Sequence, residues 1–218
     1  MSEHYRTRKP FRARRAPARA HYDEAIVHGI LDEGLVAHVA YVAHDEEAAR
    51  PVVIPVYYAR RGDEFLFHAS TKSGLGLAAR QGVSMCATVT LLDGVIYARS
   101  GFHHSMNYRS VVLHGAPVLL AGDEKLEALD FMVDRLVSGR SAQVRPMNVK
   151  EIKATCVVAL RLEQVVAKVN AAEAPNEEPE DLDWPVWAGI VPVHTVAGVA
   201  QQHAPCLSEA GRPRNLVE

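Results

Sequence analysis

From Glu64 to Ser70 the chain alternates apolar, aromatic and polar residues, then runs into Thr71-Lys72-Ser73-Gly74 and the short apolar stretch Leu75 to Arg80. Strand, tight polar turn and helix are thereby prescribed in succession. Period-2 geometry puts Leu66, His68 and Ser70 on one face of the strand and Phe65 and Phe67 on the other. The turn gathers the hydroxyls of Ser70, Thr71 and Ser73 and the Lys72 ammonium beside the free N–H groups of a helix start, a combination suited to a phosphate. Ser and Thr in this place are also ordinary helix caps, so the segment alone leaves both readings open. On the first reading, one strand face leads from an apolar surface, past the His68 imidazole, to an anion site.

Most of the remaining sequence reads as further strands. Tyr22 to Glu33 carries apolar residues at 26, 27, 30 and 31, the stripe of a short amphipathic helix, with Gly34 at the C-cap position. Leu35–Ala43 and Val52–Tyr58 are β-branched and aromatic, and the polar turn His44 to Arg50 makes them a hairpin. Pro55 inside the second run demotes it to an edge or a bulge, where backbone groups are free to meet a ligand. Arg60-Arg61-Gly62-Asp63 turns the chain into the strand described first. Asp93-Gly94 predicts a two-residue hairpin between Val83–Leu92 and Val95–Arg99. Tyr108–Leu120 is a long strand interrupted by Gly115-Ala116-Pro117, a bend of the kind that curls sheets into barrels. Helices over Asp123–Val137 and Asn148–Lys153 precede the last strands, Ala154–Leu162 and Val165–Val169. Six or seven strands with a few helices between them favour an all-β fold with accessory helices, a closed antiparallel barrel.

Composition divides the chain further. The first 20 residues hold seven Lys/Arg against one acid, a net +6 that leaves −8 for the remainder of a chain whose total is −2. The expected domains are therefore a basic arm (1–20), a barrel (21–170) and an acidic linker with a Trp-containing tail (171–218). Proline breaks and sparse aromatics make the arm a solvated or subunit-clasping element, and the acidity of the body argues against nucleic acid as a partner. No apolar run reaches the roughly 20 residues of a membrane span and no signal-peptide pattern opens the chain, so the expected location is cytoplasmic with no membrane partner. Cys86, Cys156 and Cys206 are odd in number and widely spaced, which argues against a disulfide framework or a zinc knuckle. Trp184 and Trp187, in an otherwise extended tail, are expected to dock on the barrel, on a second subunit or over a ligand.

Several chemistries lack their motifs. Among the 11 histidines there is no HExxH or HxH set, and adjacent His103 and His104 would face opposite ways on a strand, so no metal site is expected. Haem ligation by a single imidazole, such as His68 or His114, stays open. There is no GxSxG and no GxGxxG after a strand.

Four segments in order, Val53-Ile54-Pro55-Val56-Tyr57, Leu66-Phe67-His68-Ala69-Ser70-Thr71, Met106-Asn107-Tyr108-Arg109-Ser110-Val111-Val112 and Asp183-Trp184-Pro185-Val186-Trp187, resemble the pyridoxamine 5′-phosphate oxidase-like, flavin-binding split-barrel superfamily. The likeness spans roughly residues 10–190 and is greatest to the branch containing the nitroimidazole-resistance-related proteins. It implies a six-stranded antiparallel split barrel, a homodimer and FMN held at the subunit interface. By this resemblance Val53, Ile54, Pro55 and Val56 run under the flavin ring, and His68 and Ala69 line its edge. Ser70, Thr71, Lys72 and Ser73 hold the phosphate, Tyr108 and Arg109 approach from a facing strand, and Trp187 joins the cofactor-binding set. His68 is the catalytic candidate, able to donate a proton or polarise an acceptor as the flavin is reduced. The implied activity is a flavin-dependent oxidoreductase using a small electron acceptor such as a quinone or nitroaromatic. The alternatives are a haem-binding or haem-degrading barrel, a deazaflavin protein, and a flavin store or sensor. Gly74 stands where relatives often carry a basic residue, so Lys72 is the only cation of the turn. The longer basic elements that grip a second phosphate in true pyridoxamine phosphate oxidases are absent, and vitamin B6 synthesis is not expected.

Overall fold

A computed structural model describes residues 4–44 and 48–203; part of the His44 to Arg50 turn, Cys206 and the end of the tail lie outside the described residues. The strands are β1 (Ala20–His21), β2 (Val36–His44), β3 (Ala49–Arg61), β4 (Glu64–Ser70), β5 (Met85–Tyr97), β6 (Ser105–Gly115), β7 (Val118–Leu120), β8 (Thr155–Arg161), β9 (Gln164–Asn170) and β10 (Gly189–Pro192). The helices are α1 (Glu24–Glu33), α2 (Gly74–Arg80), α3 (Gly122–Leu136) and α4 (Val149–Ala154). Seven strands are long, one more than the six implied by the resemblance, and β1, β7 and β10 are short additions.

Neighbouring strands follow the order β1-β9-β6-β5-β2-β3-β4-β8-β7, all antiparallel, with β10 added to β5. β8 and β9 lie near opposite ends of that path yet are joined only by Leu162 and Glu163, so the sheet curls back on itself as a barrel. The predicted bend at Gly115-Ala116-Pro117 carries the chain from β6, between β5 and β9, to β7 beside β8. Inside the barrel Tyr58, Phe65, Phe67, Val39, Val89, Leu113 and Leu160 are fully buried, and the Tyr58 and Phe65 rings stack at 4.6 Å. A second cluster, Ala59, Leu66, Leu120, Leu129, Met132 and Val157, lies on the other face of β4, under α3. The two clusters explain why four successive residues of β4, Glu64 to Phe67, are buried: both faces of that stretch are covered.

One turn reading needs correction, and one glycine is selected for an unexpected reason. Asp93-Gly94 makes no hairpin, because β5 runs straight through it with only a register shift between Leu92 and Gly94 against β6. β10 crowds this glycine: a Cβ there would sit 3.1 Å from Val191 O and 3.3 Å from Ile190 Cγ2, tighter than most real contacts. Gly34 does end α1, but with φ −75° rather than in a left-handed cap. A Cβ at this position would collide with Tyr58 Oη at 2.5 Å and Val89 Cγ1 at 2.7 Å, so close packing, not backbone freedom, selects glycine.

The basic arm is folded onto the barrel. Buried Thr7 donates through Oγ1 to Val165 O at 2.5 Å, and Arg8 N donates to Gln164 Oε1 at 2.9 Å. In the tail, the Glu177 carboxylate receives both Arg99 N and its guanidinium, and β10 adds to the part of β5 that β2 does not reach. Among the described residues no helix is long and apolar enough to cross a membrane.

Candidate functional site

β3 belongs to two ladders in succession. Ala49–Tyr57 pairs with β2, whereas only Tyr58–Arg61 pairs with β4. Continued by one register step at a time, the second ladder would join Tyr57 to His68, Val56 to Ala69 and Pro55 to Ser70. Those pairs do not form, because β4 follows β8 over its whole length instead. The barrel wall therefore splits at this point. Val53 to Val56 line one lip of the split, and His68 to Ser73 line the other. Val52, Ile54 and Val56 share the inward phase with buried Ala37, Val39 and Tyr41, yet Ile54 remains 37% exposed, as expected where the wall is open. Val53 and Pro55 point outward and are exposed.

The polar turn closes on itself. Ser73 Oγ donates to Ser70 O at 2.8 Å and accepts from Gly76 N at 3.1 Å, while Ser70 Oγ accepts from Lys72 N at 3.3 Å. Thr71 donates to Ala154 O through both N and Oγ1. The helix-cap role of Ser73 is thus real. What remains outward-facing is the exposed Lys72 side chain, with no acceptor among the described residues, and the first N–H groups of α2, which helix geometry leaves without intrahelical acceptors. Ala69 is half-buried, and its carbonyl accepts from Cys156 Sγ at 3.3 Å. His68 is exposed at the mouth of the split, on the face of Leu66 and Val157; partial burial of its ring pushes the imidazole below its ordinary value, towards the neutral form.

The other expected residues stand elsewhere on the chain. Tyr108 and Arg109 belong to β6, four strands from β4 along the sheet. The Arg109 guanidinium is held by both oxygens of Asp93 (3.0 and 2.7 Å) and by Glu33, and these carboxylates hold its proton still more firmly than usual. This pins the end of α1 to β5 and β6. Trp187 packs its ring 5.8 Å from that of Tyr97 but remains 65% exposed, and Trp184 is 64% exposed.

Sequence reasoning missed the outer face of the large sheet. Register places Val53, Ala40, Cys86, His114 and Gln164 in one row across β3, β2, β5, β6 and β9, with Pro55, His38, Thr88, Val112 and Val166 in the next. At the His114 end the arm closes a cavity of about 960 Å³, lined by Arg8, Phe11, Met85, Cys86, His114 and Arg161 among others. Phe11 packs 4.9 Å from the His114 ring, whose Nε2 is 3.9 Å from Cys86 Sγ, and burial keeps both groups towards their neutral forms. The only sequence signal for this cavity was the alternation that puts His114 and Cys86 on outward phases of strands that read as apolar.

A curled antiparallel barrel split along a shared strand defines a split-barrel protein. Residues 23–169 match the pyridoxamine 5′-phosphate oxidase family, and the chain belongs to that family. Two solved structures are similar to nearly the whole chain. The flavocytochrome Anf3 from Azotobacter vinelandii is 31% identical over 96% of this chain and 95% of its own, with a TM-score of 0.86. An FAD and haem binding protein from Mycobacterium smegmatis is 32% identical over 90% and 94%, with a TM-score of 0.82. A putative 5-nitroimidazole antibiotic resistance protein from Bacteroides thetaiotaomicron, 18% identical over 69% of this chain and 86% of its own, shares the fold with a TM-score of 0.56. No curated protein matches the chain.

Proposed function

We propose that this chain is a flavin-binding redox protein that also carries haem, passing electrons to a small acceptor such as a quinone or nitroaromatic. The observation that carries the flavin half is the split itself. An open strand edge with exposed Val53, Ile54 and Pro55 faces a turn with an unpartnered cation, Lys72. Apolar residues with free backbone groups suit a flat heteroaromatic ring, and the turn suits its phosphate. The haem half is supported by the similarity to two proteins named for flavin or haem cofactors.

When bound, the flavin supplies the electron-transfer chemistry. Val53, Ile54, Pro55 and Val56 orient the ring, and Ala69 closes its edge. Ser70, Thr71, Lys72 and Ser73 hold the phosphate, with Lys72 as the charged contact. His68, neutral and exposed at the lip, is the proton-handling group. FMN fits these contacts; FAD, present in the name of the Mycobacterium relative, shares the same ring and first phosphate. A homodimer completes the arrangement: exposed Val36 on the outer face and the two tryptophans are surfaces that a second copy covers, and Tyr108, Arg109 and Trp187 then act across the interface. A cytoplasmic location accords with this chemistry.

The absorption spectrum of the purified protein, with mass spectrometry of the released cofactors, tests the reading directly. Flavin and Soret bands are expected. A colourless protein that takes up neither cofactor would refute it. Lys72→Ala should weaken flavin binding by about 1.5–3 kcal/mol; unchanged affinity would move the phosphate away from this turn. Bleaching by a nicotinamide donor, followed by reoxidation with a quinone, separates an enzyme from a flavin store, and light scattering that shows a strict monomer would remove the interface roles.

A further inference from the structure

The cavity under the N-terminal arm lies outside the split, and none of the expected flavin contacts lines it. We propose that this cavity is the haem site, with His114 as the axial ligand and Arg8 and Arg161 receiving the propionate carboxylates; the inference rests on the haem half of the function proposed above.

Size comes first. A volume of about 960 Å³ lies at the upper end of the roughly 300–1,000 Å³ typical of ligand pockets. The lining is divided as a flat amphipathic macrocycle requires. Phe11, Ala40, Val42, Pro51, Met85 and Cys86 supply apolar surface, and the cations stand where the arm and the β8–β9 turn meet the sheet. Arg8 has no carboxylate partner among the described residues and lies over the Phe11 ring at 5.1 Å. Arg161 is 58% exposed, with a single ion pair among the described residues, to Glu64 at 3.2 Å, so part of its fork is available. Glu163 also lines the cavity, which leaves one net positive charge from these three groups to meet two carboxylates. His114 is the one imidazole among the lining residues, and a single imidazole suffices to ligate haem iron. Its Nε2 contacts only a thiol, a weak partner at 3.9 Å.

The register adds a functional argument. His114 and Val53 occupy one row of one face, three strand spacings apart, which at the usual strand spacing is about 14 Å. A ring over Val53 and a macrocycle on His114 would therefore approach each other across the surface formed by Ala40 and Cys86. A redox protein with two cofactors gains from that placement, because neither electron path nor ligand access crosses the barrel core.

The test uses the full chain, stripped of cofactors and titrated with hemin while the Soret band is followed. His114→Ala should lower hemin affinity at least about tenfold and change the iron spin state, and added imidazole should restore the wild-type spectrum. His114→Tyr should instead give a tyrosinate-type spectrum. Arg8→Ala with Arg161→Ala should abolish the preference for hemin over its dimethyl ester, which has no free carboxylates. Thermal melts of the apo-proteins confirm that each variant folds. If His68→Ala loses the haem spectrum while His114→Ala keeps it, the site lies at the split and the proposal is overturned. If the wild-type chain takes up no hemin, the haem half of the proposed function fails as well.

Discussion

Gly76→Ala is the sharpest test of how the phosphate turn is built. Alanine is the better helix former by about 0.8–1.0 kcal/mol, so propensity alone predicts that the variant is more stable. The structure predicts the opposite sign. A Cβ on residue 76 would lie 2.1 Å from Ser70 O, 3.1 Å from Ser70 C and 3.3 Å from Ser73 Oγ. The first two contacts are backbone and cannot swing aside. Either α2 rotates away or the turn opens, and the three bonds that close it, Ser73 N to Ser70 O, Ser73 Oγ to Ser70 O and Gly76 N to Ser73 Oγ, are strained together. Overpacking costs about 1–3 kcal/mol and each net hydrogen bond about 1 kcal/mol. Set against the propensity gain, the expected destabilisation is about 1–4 kcal/mol. At about 2–4 °C per kcal/mol for a chain of this size, Tm should fall by roughly 2–16 °C. Calorimetry on the apo-protein measures it, with Ser73→Ala, which removes the cap and the Oγ bond to Ser70 O without adding a Cβ at residue 76, at about 1–2 kcal/mol as the reference. A Gly76→Ala melting point equal to or above wild type would refute the close approach of α2 to Ser70.

Three further outcomes follow from the geometry. Arg109→Gln should cost only about 1 kcal/mol, because Arg109, Glu33 and Asp93 are partly exposed, as read from urea midpoints. The pH dependence has a definite sign: Arg109's hydrogen bond holds Glu33 below the ordinary carboxylate value of 4.5, so its stabilisation is complete above that pH and disappears as pH falls through the lowered value. Arg109→Gln should therefore flatten the acid limb of the stability curve, and an unchanged limb would assign the acid sensitivity to other carboxylates. Tyr58→Phe removes the buried bond to Leu31 O at 2.8 Å and should cost about 1 kcal/mol by thermal denaturation while leaving flavin affinity at wild type.

Strand identity was legible wherever side chains alternate between environments, as along β2, and two helix starts carry side-chain caps: Ser73 caps α2, and Asn148 and Glu151 form the capping box of α4. At Asp93-Gly94 the local signal misled. At Gly34, Gly76 and Gly94 the residue is chosen by a neighbour distant in sequence or around the turn, Tyr58, Ser70 or β10, and no window of sequence contains that neighbour's position. Site residues on consecutive elements, such as Ser70 to Ser73, could be read as one group. The cavity could not, because Arg8, Cys86, His114 and Arg161 come from four elements that only ladder register brings together.

The prolines of β3 have a consequence beyond the site they border. Proline fits a strand without losing a ladder bond only where its missing N–H would have pointed away from the neighbour. Pro51 and Pro55 share that phase with Val53, so the open edge offers several carbonyls but a single donor between them, that of Val53. An incoming strand needs alternating donors and acceptors along its whole length, and this edge withholds two of every three donors from residue 51 to residue 55. A small ring needs only one or two such contacts. The same stretch that is left unpaired for a ligand is thereby guarded against sheet-to-sheet aggregation, the usual hazard of an exposed apolar edge.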